Sequence, residues 1–362
     1  MKLNNKIIIA TGGTGGHVFP AYSLAQYLVK NKFDVKIVTD NRGFKFLENY
    51  NDVKYKIINS STIYKNNILL SFIAIFKILF AFLNSIVFLI RFKPKIVFGM
   101  GGYSSFPVCL AAKILGIRFI LYENNLYLGK ANKYLLPLAS KMFVAYNSLD
   151  GVIAKYRFKI VETGNIIREN ILNYKKNKVE LSSDTISILI LGGSQAAKSF
   201  GEKLPNIFKE CINSNIKLKI YQQCLKSQKI TLENNYNSLG IKNEIFNFSH
   251  NLLSYFSRVD FAISRSGSSM LAELLNCNIP IISIPLPNSV DDHQLKNAKY
   301  FEKKGYSFLV EESKIENNLF SLIKSIHKDK GLLNQIKIKQ KEYSDKQVFE
   351  KINIQIKKLI NE

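Results

Sequence analysis

The residues with the clearest chemical potential follow the first apolar run of the chain, in the sequence Gly12-Gly13-Thr14-Gly15-Gly16-His17. Glycines let backbone N–H groups approach a phosphate closely, and the N-terminal end of a following helix carries positive potential. A neutral imidazole beside such a loop can accept a proton from a hydroxyl group near pH 7. The pattern therefore predicts a diphosphate site with His17 as the candidate catalytic base. A role in capping the helix or in binding the phosphate is the alternative for this histidine.

Three more glycine segments follow apolar runs, at Gly101-Gly102, Gly192-Gly193 and Gly267. The last precedes Ser268 and Ser269, which can cap a helix, and Glu273, whose carboxylate can accept hydrogen bonds from ribose hydroxyls. A nucleotide diphosphate at this helix start is one interpretation, and ordinary helix capping is the other.

Two nucleotide-binding loops resemble parts of this pattern. Asp40 stands where the ribose-binding acid of a dinucleotide enzyme would lie, but Val18 and Phe19 follow His17 where that motif requires its final glycine. The sequence from Gly192 to Ser199 resembles a Walker A loop with alanine in place of its second glycine. Both departures disfavour these alternatives.

The composition favours anionic partners and gives no sign of a metal site. The formal net charge is +24, which attracts nucleic acid, acidic lipids or phosphorylated substrates; a general bias toward lysine would raise the charge without any binding role. The four histidines have no paired spacing and no Asp-x-Asp sequence occurs, so we expect no metal site made by the protein.

The elements that must position these loops alternate between strand-like and helical patterns. A helix is predicted over about residues 19–30, with Pro20 in its first turn. The predicted strands are residues 6–10, 34–39, 95–98, 118–122, 141–145, 186–191, 217–221, 261–264 and 279–284. This order predicts an α/β fold of two Rossmann-like domains, joined near Gly164-Asn165, whose parallel sheets face each other across a cleft lined by the glycine loops.

Residues 68–90 break the alternation because they are almost wholly apolar and long enough to cross a hydrocarbon core, which needs about 20 residues. Lys77, Asn84 and Arg91 share one narrow polar stripe on the predicted helix. That stripe suits a helix lying at a membrane surface. A buried domain helix and a membrane span are the alternatives, although a span would interrupt the βαβ order.

Cysteine usage and the N-terminus favour a reducing compartment. Cys109, Cys211, Cys224 and Cys277 show no CxxC spacing. The N-terminal residues run directly into a strand without the apolar run and cleavage site of a signal peptide. We therefore expect a cytoplasmic setting.

Taken together, the segments resemble the MurG family of peptidoglycan synthesis, over essentially the whole chain. The resemblance is carried by five motifs in order: Gly12-Gly13-Thr14-Gly15-Gly16-His17-Val18-Phe19-Pro20-Ala21, Gly99-Met100-Gly101-Gly102-Tyr103, Glu123-Asn124-Asn125, Gly192-Gly193-Ser194-Gln195, and Ser266-Gly267 through Glu273 followed by His293-Gln294. It implies an inverting glycosyltransferase that moves N-acetylglucosamine from UDP-N-acetylglucosamine to the C4 hydroxyl of the muramyl residue of lipid I, forming lipid II.

The resemblance also implies the GT-B fold. Residues 1–164 would form the acceptor and membrane-associated domain, with a C-terminal helix over about residues 344–362 packing back on it. Residues 165–343 would bind the UDP-sugar. The enzyme would act as a peripheral protein on the cytoplasmic face of the inner membrane, with an anionic membrane surface as partner and no nucleic acid.

Site residues are carried over by matching motifs. The acceptor diphosphate would be held by Gly13, Gly101, Gly102 and Tyr103. The donor would be contacted by Thr14, Gly15, Gly16, Asn125, Arg168, Ser194, Phe248, Ser249, Ser268, Ser269, Met270, Leu271, Ala272, Glu273 and Gln294, with His293 a weaker sugar contact. No tightly bound cofactor is implied, and a divalent cation accompanying the acceptor diphosphate is left open.

Three positions depart from the family pattern. Ile166 stands where proline is common, Ala196 where glycine is common, and Met270 where threonine is common. Met270 removes a hydroxyl near the phosphates, which weakens the individual side-chain assignments more than the reaction class. An NAD(P)-dependent enzyme and a noncatalytic membrane-associated recruitment module are the rival functions.

Overall fold

The computed structural model describes residues 5–61, 68–174, 184–193, 197–247, 249 and 251–361. The chain divides into two compact units, one of residues 1–168 with 345–362 and the other of residues 169–344. Each unit is an α/β assembly built on one sheet whose paired strands are all parallel.

The first unit has a seven-stranded sheet in the order β3-β2-β1-β4-β5-β6-β7. Its strands are β1 (Lys6–Ala10), β2 (Asp34–Thr39), β3 (Lys54–Ile57), β4 (Ile96–Gly99), β5 (Arg118–Glu123), β6 (Lys141–Val144) and β7 (Ile160–Glu162). Its helices are α1 (Gly15–Lys30), α2 (Asn41–Phe44), α3 (Ile68–Phe92), α4 (Ser105–Ile114) and α5 (Lys130–Leu135), followed by a 3-10 turn over Ala154–Lys159.

The second unit has a six-stranded sheet in the order β10-β9-β8-β11-β12-β13. Its strands are β8 (Thr185–Leu191), β9 (Lys217–Gln223), β10 (Lys242–Phe246), β11 (Phe261–Ser264), β12 (Ile281–Ser283) and β13 (Ser307–Leu309). Its helices are α6 (Glu169–Leu172), α7 (Lys198–Asn213), α8 (Lys229–Ser238), α9 (Leu253–Phe256), α10 (Ser268–Asn276), α11 (His293–Lys303), α12 (Phe320–Lys328) and α13 (Gly331–Lys341). The last helix of the chain, α14 (Val348–Asn361), belongs to the first unit.

The sequence pattern located the interior strands and missed the edges of both sheets. Residues Ile7, Ile8 and Ile9 of β1 are fully buried, as expected for a central parallel strand covered on both faces. The strands that the pattern missed are β3, β7, β10 and β13, which are the edge strands of the two sheets within the described residues. Edge strands are short and partly exposed, so they lack the continuous apolar run that marks an interior strand; in β3 every residue is exposed.

Helix α1 begins at Gly15, four residues before the predicted start. The Thr14 carbonyl accepts hydrogen bonds from the N–H groups of His17 at 3.0 Å and Val18 at 3.2 Å. His17 therefore lies in the first turn of the helix and not in a loop that precedes it.

The first unit extends to residue 168, four residues past the boundary predicted at 164/165, because residues 165–167 are bound to this unit. The Asn165 N–H donates to Asp345 Oδ1 at 2.7 Å, and the Ile166 N–H donates to the Tyr122 hydroxyl at 2.8 Å. Burial raises the pKa of the Tyr122 phenol far above its usual value. Asp345 is itself only 2% exposed. The segment by which the chain leaves this unit and the residue at which it returns are therefore bonded to each other in the interior of the unit.

Helix α14 completes the first unit by packing on α1. The rings of Tyr27 and Phe349 stack with their centroids 4.8 Å apart, and the Arg118 guanidinium donates to the carbonyl of Leu359. The last helix thus covers apolar surface at the start of the chain.

Removing the Asp345 carboxylate tests this tie. In Asp345→Ala the buried N–H of Asn165 loses its acceptor, and we expect a loss of about 1–3 kcal/mol in the free energy of unfolding, measured by denaturant titration followed by circular dichroism. The exposed Glu350, near the start of α14, provides the control: Glu350→Ala should change stability by less than about 0.5 kcal/mol. Equal unfolding midpoints for the two variants would contradict the assignment.

Candidate functional site

The first unit brings two glycine loops together at the middle of its sheet. Strands β1 and β4 are neighbours, while the strands that follow them, β2 and β5, lie on opposite sides. The connections after β1 and β4 therefore leave in opposite directions and open a crevice at the carboxyl edge of the sheet, where ligands of open α/β sheets bind. Residues 12–17 and residues 101–103 line this crevice.

Asp40 holds the loop after β1. Its Oδ1 accepts hydrogen bonds from the N–H groups of Gly13 at 3.1 Å and Gly43 at 2.8 Å. The side chain is buried and caps helix α2. A carboxylate engaged by the protein's own backbone in this way is poorly suited to bind a ribose, which removes the feature that favoured a dinucleotide enzyme.

The loop after β4 approaches His17 so closely that glycine is required. Gly101 has a φ of +86°, and a Cβ atom placed on it would lie 3.1 Å from His17 Cε1. Gly102 has a φ of +76°, and its Cβ would lie 3.0 Å from the Gly12 carbonyl oxygen. The backbone of this loop therefore forms one wall of the space beside the imidazole.

The predicted residues of the first glycine loop and Tyr103 lie in the same region. Thr14 is exposed at the N-terminal end of α1, Gly15 is buried, and Gly16 and His17 are half-buried. Tyr103 lies under the Arg42 guanidinium, 4.8 Å from ring centroid to carbon. The structure thus gathers the candidate base and the four predicted acceptor contacts at one crevice.

A buried carboxylate at the end of β5 shapes the third side. Glu123 accepts hydrogen bonds from the N–H and the side-chain amide of Asn125 at 3.2 and 3.0 Å, from the Gly129 N–H at 3.0 Å, and from Asn132 Nδ2 at 3.0 Å. Asn124 Nδ2 donates to the Gly16 carbonyl at 3.2 Å. These bonds fix Asn125 relative to the first glycine loop.

Three residues of this site were missed by sequence reasoning. Asn124 lies inside the Glu123-Asn124-Asn125 motif, but no role was predicted for it. Arg42 and Asn132 lie in segments without any motif. No local signal distinguishes Arg42 or Asn132 from surface polar residues, because their positions depend on pairing with residues far away in the sequence.

The second unit repeats the arrangement at β8 and β11, which are neighbours at the point where the strand order reverses. Gly193, after β8, has a φ of +80°, and Gly267, after β11, is the N-cap residue of α10. The N–H groups of Ser268, Ser269 and Met270 form the first turn of α10 and point beyond its N-terminal end, where helices bind anions.

Leu271 and Ala272, which were also predicted as donor contacts, follow in α10. Both side chains are fully buried, and the Leu271 N–H donates to the Gly267 carbonyl at 3.0 Å. Their side chains thus pack in the core beneath the start of the helix.

Two other predicted donor contacts occupy ordered positions in the second unit. Glu273 is 7% exposed. Gln294 Oε1 accepts hydrogen bonds from the N–H groups of Ser266 at 3.2 Å and Leu286 at 3.0 Å. The side-chain oxygen of Gln294 thus links the segments after β11 and β12. A ligand would be contacted by its amide nitrogen. His293 Nδ1 lies 2.7 Å from the Val290 carbonyl oxygen.

An ion pair ties the segment after β11 to the start of α7. Arg265 pairs with Glu312, donates to Ser199 Oγ at 2.9 Å, and stacks over the Phe200 ring at 4.5 Å. Burial lowers the pKa of the Arg265 guanidinium, and Glu312 opposes that change. Ser199 also donates to Glu312 at 3.0 Å. Because the hydroxyl that a Walker A loop would use for magnesium is engaged here, the structure disfavours an ATPase.

The other predicted residues are only partly described. Ser194 and Phe248 lie outside the described residues. Ser249 is half-buried, and its hydroxyl accepts from the Asn251 N–H at 3.2 Å. Arg168, predicted as a donor contact, is half-buried where the chain leaves the first unit. Among the described residues, no group of three or more His, Cys, Asp or Glu side chains is arranged to hold a metal ion.

Comparison with known proteins identifies both units. The family model of the glycosyltransferase family 28 N-terminal domain matches residues 7–144, and that of the C-terminal domain of the same family matches residues 187–352. A protein of Pelagibacter ubique is 37% identical over 99% of this chain and 100% of its own length, and one of Rickettsia felis is 34% identical over 86% of this chain and 87% of its own. Both are named UDP-N-acetylglucosamine–N-acetylmuramyl-(pentapeptide) pyrophosphoryl-undecaprenol N-acetylglucosamine transferase.

A solved structure agrees with these relatives. The crystal structure of Acinetobacter baumannii MurG superposes with a TM-score of 0.77 at 25% identity, covering 98% of this chain and 99% of that one.

The contact between Gly101 and His17 can be tested without any substrate. In Gly101→Ala the added methyl group must displace the imidazole, so we expect the His17 ring signals to shift in NMR spectra of the four histidines, with assignment from His17→Gln. Gly116→Ala is the matched control, because Gly116 also has a positive φ, +68°, but a Cβ there meets nothing within 4 Å. Both changes carry a similar backbone strain of about 1–2 kcal/mol. Unchanged His17 signals in Gly101→Ala would contradict the described approach of the two loops.

Proposed function

This chain belongs to glycosyltransferase family 28, and we propose that it transfers N-acetylglucosamine from UDP-N-acetylglucosamine to the C4 hydroxyl of the muramyl residue of lipid I, forming lipid II for peptidoglycan synthesis. The observation that carries the proposal is the full-length match to relatives named for this transfer. The GT-B fold expected from the sequence, with two parallel-sheet α/β units, is confirmed.

On the acceptor side, the crevice of the first unit supports binding of a diphosphate. Gly13, Gly101, Gly102 and Tyr103 surround the N-terminal end of α1, whose partial positive charge attracts anions. Thr14, Gly15, Gly16 and Asn125 would contact the transferring sugar from the same unit. His17, in the first turn of α1, would then lie beside the diphosphate and the hydroxyl that reacts.

The reaction proceeds by inversion in one displacement. The C4 oxygen of the acceptor forms a bond to the anomeric carbon while the bond from that carbon to the β-phosphate oxygen of UDP breaks, and the hydroxyl proton passes to the His17 imidazole. A base positioned for this transfer contributes about 10²–10⁴ in rate.

On the donor side, the first turn of α10 and Arg168 stabilise the negative charge that develops on departing UDP. Ser194, Phe248 and Ser249 would contact the nucleotide, Glu273 the ribose and Gln294 the sugar. Because Met270 has no hydroxyl group, the phosphates would be bound at that position by backbone N–H groups without help from a side chain. The protein itself would hold no cofactor, and any divalent cation would arrive with the acceptor diphosphate.

The acceptor's lipid requires the enzyme to work at a membrane, and α3 offers the surface. By length and composition α3 could cross a bilayer, but Ala74, Ala81, Ser85 and Leu89 are buried along one side, which packs on α4. The outer side exposes large apolar residues, namely Ile68, Leu69, Leu70, Phe72, Ile73, Ile75, Phe76, Leu79, Phe80, Leu83, Val87 and Ile90. Lys77 and Arg91 are also exposed. A peripheral position on the cytoplasmic face, with α3 in the interface and its cations near anionic lipids, fits this pattern.

Turnover of His17→Ala tests the reaction and the base together. With labelled UDP-N-acetylglucosamine and lipid I both saturating, we expect kcat to fall by about 10²–10⁴ because no group remains to accept the proton. His327→Ala, which changes a histidine of α12 in the second unit, should retain normal turnover. Near-normal turnover by His17→Ala would overturn the base role, whereas absence of label transfer by the unmodified chain would overturn the function.

Vesicle flotation tests the membrane surface. The double variant Phe72→Ser with Leu83→Ser removes two exposed apolar side chains of α3, and since a buried side chain of this size contributes about 1.5–3 kcal/mol, we expect at least a tenfold loss of binding to vesicles containing phosphatidylglycerol. Ile230 and Ile338 in the second unit are at least as exposed as Phe72 and Leu83, so Ile230→Ser with Ile338→Ser is the control and should bind normally. Equal binding of the two double variants would contradict a membrane role of α3.

A further inference from the structure

A groove of about 700 Å³ runs along the carboxyl edge of the first sheet, between the segments that follow β2 and β3 and the N-terminal half of α3. We call it the α3 groove; its lining includes Arg42, Asn59, Ile73, Phe76, Lys77 and Phe80. A volume of this size is typical of sites that take one small molecule or part of a larger one. Ile73, Phe76, Lys77 and Phe80 belong to the α3 surface that we assign to the membrane, but the groove that they form with the segments after β2 and β3 has no role in that assignment.

One end of the α3 groove is joined to the diphosphate crevice. Asp40, which also lines the groove, binds the Gly13 N–H, and the Arg42 guanidinium lies 3.4 Å from Asp40 Oδ2 and over the Tyr103 ring. The same residues thus border both the groove and the two loops that the proposed function assigns to the acceptor diphosphate.

The other end is apolar and opens onto the exposed side of α3. Ile73, Phe76 and Phe80 are spaced by three and four residues, so they share one face of the helix, and they are 44%, 69% and 68% exposed. An apolar ligand leaving the crevice along this groove would therefore reach the surface that we assign to the membrane.

The charges of the lining fit an anion attached to an apolar chain. Arg42 and Lys77 bring two positive charges, against the single carboxylate of Asp40, which is buried and already accepts two backbone hydrogen bonds. A helix that served only as a bilayer anchor would need neither a groove nor cations lining that groove. A polyprenyl diphosphate has the matching order of parts: an anionic head followed by a linear series of apolar units.

We propose that the α3 groove binds the prenyl units next to the diphosphate of the acceptor, with Arg42 and Lys77 flanking the phosphates and Phe76 and Phe80 contacting the chain. This inference rests on the proposed function, because it takes the acceptor diphosphate to lie at residues 12–17 and 101–103. The groove makes the first prenyl units part of acceptor recognition, separate from the affinity of α3 for bulk lipid.

The test compares two phenylalanines of the same helix. Phe76 lines the groove and Phe72 does not, yet both are largely exposed, at 69% and 58%. Phe76→Ala and Phe72→Ala should therefore lose similar membrane affinity and retain the same stability, whereas only Phe76→Ala should weaken contact with the prenyl chain. Denaturant unfolding of both variants verifies that neither is misfolded.

The assay uses the full chain in buffer without detergent or vesicles, with two soluble lipid I analogues whose diphosphate carries either three prenyl units or a methyl group. With the prenyl analogue we expect Phe76→Ala to raise KM about tenfold and to keep kcat within twofold, because the lost contact stabilises the bound substrate and the transition state equally. Phe72→Ala should leave KM unchanged. With the methyl analogue neither variant should differ from the unmodified chain. Lys77→Gln should raise KM for both analogues, and Arg91→Gln, a cation near the other end of α3, should not.

Equal KM values for Phe76→Ala and Phe72→Ala with the prenyl analogue would overturn the inference while leaving the proposed function intact. So would an effect of Phe76→Ala that appears only after vesicles of phosphatidylglycerol are added, because the groove would then bind a bulk lipid headgroup. If the unmodified chain transfers sugar to neither analogue nor to lipid I itself, the proposed function fails and the inference falls with it.

Discussion

The parallel pairing of β1 with β4 is the constraint on which the candidate acceptor site depends. Since the chain leaves these neighbouring strands in opposite directions, the loops that follow them lie side by side at the carboxyl edge of the sheet. Gly101 and Gly102 can then approach His17 and Gly12 so closely that a Cβ atom on either glycine would have to displace its neighbour. The pairing of β8 with β11 imposes the same geometry on the second unit, where α10 begins. Each unit thus presents backbone N–H groups and a helix end, the groups best suited to a diphosphate.

Buried charged side chains hold these loops in place through hydrogen bonds and ion pairs with other residues of the chain. Asp40 binds two backbone N–H groups, Glu123 binds the segment through Asn132, and Arg265 pairs with Glu312. Leaving any of these charges unpaired in the interior would cost several kcal/mol, by order of magnitude, so each fixes the geometry of its neighbours strongly. Their role is to position the surfaces that a ligand meets.

Helix α3 is the element that, in our proposal, links the chemistry to the membrane. Small residues on its inner side allow close packing on α4, while its outer side remains apolar. Because its N-terminal half lies at the carboxyl edge of the sheet, an acceptor with an anionic head and an apolar tail has a continuous route from the glycine loops to the exposed helix. The groove beside Arg42 and Phe76 therefore relates two properties that would otherwise be separate, diphosphate binding and membrane affinity.

The sequence by itself determined the fold class, the interior strands, the glycine loops and, through their order, the family. These features are local: an interior parallel strand must be apolar along its length, and a loop that approaches a phosphate must contain glycine. Tertiary structure alone decided the edge strands, the start of α1 at Gly15, the burial of Leu271 and Ala272, and the structural use of Asp40, Ser199 and Gln294. A polar side chain in a sequence shows which bonds it can make, but its partners, such as Glu312 for Arg265, are brought to it only by the packing of strands and helices that are distant along the chain.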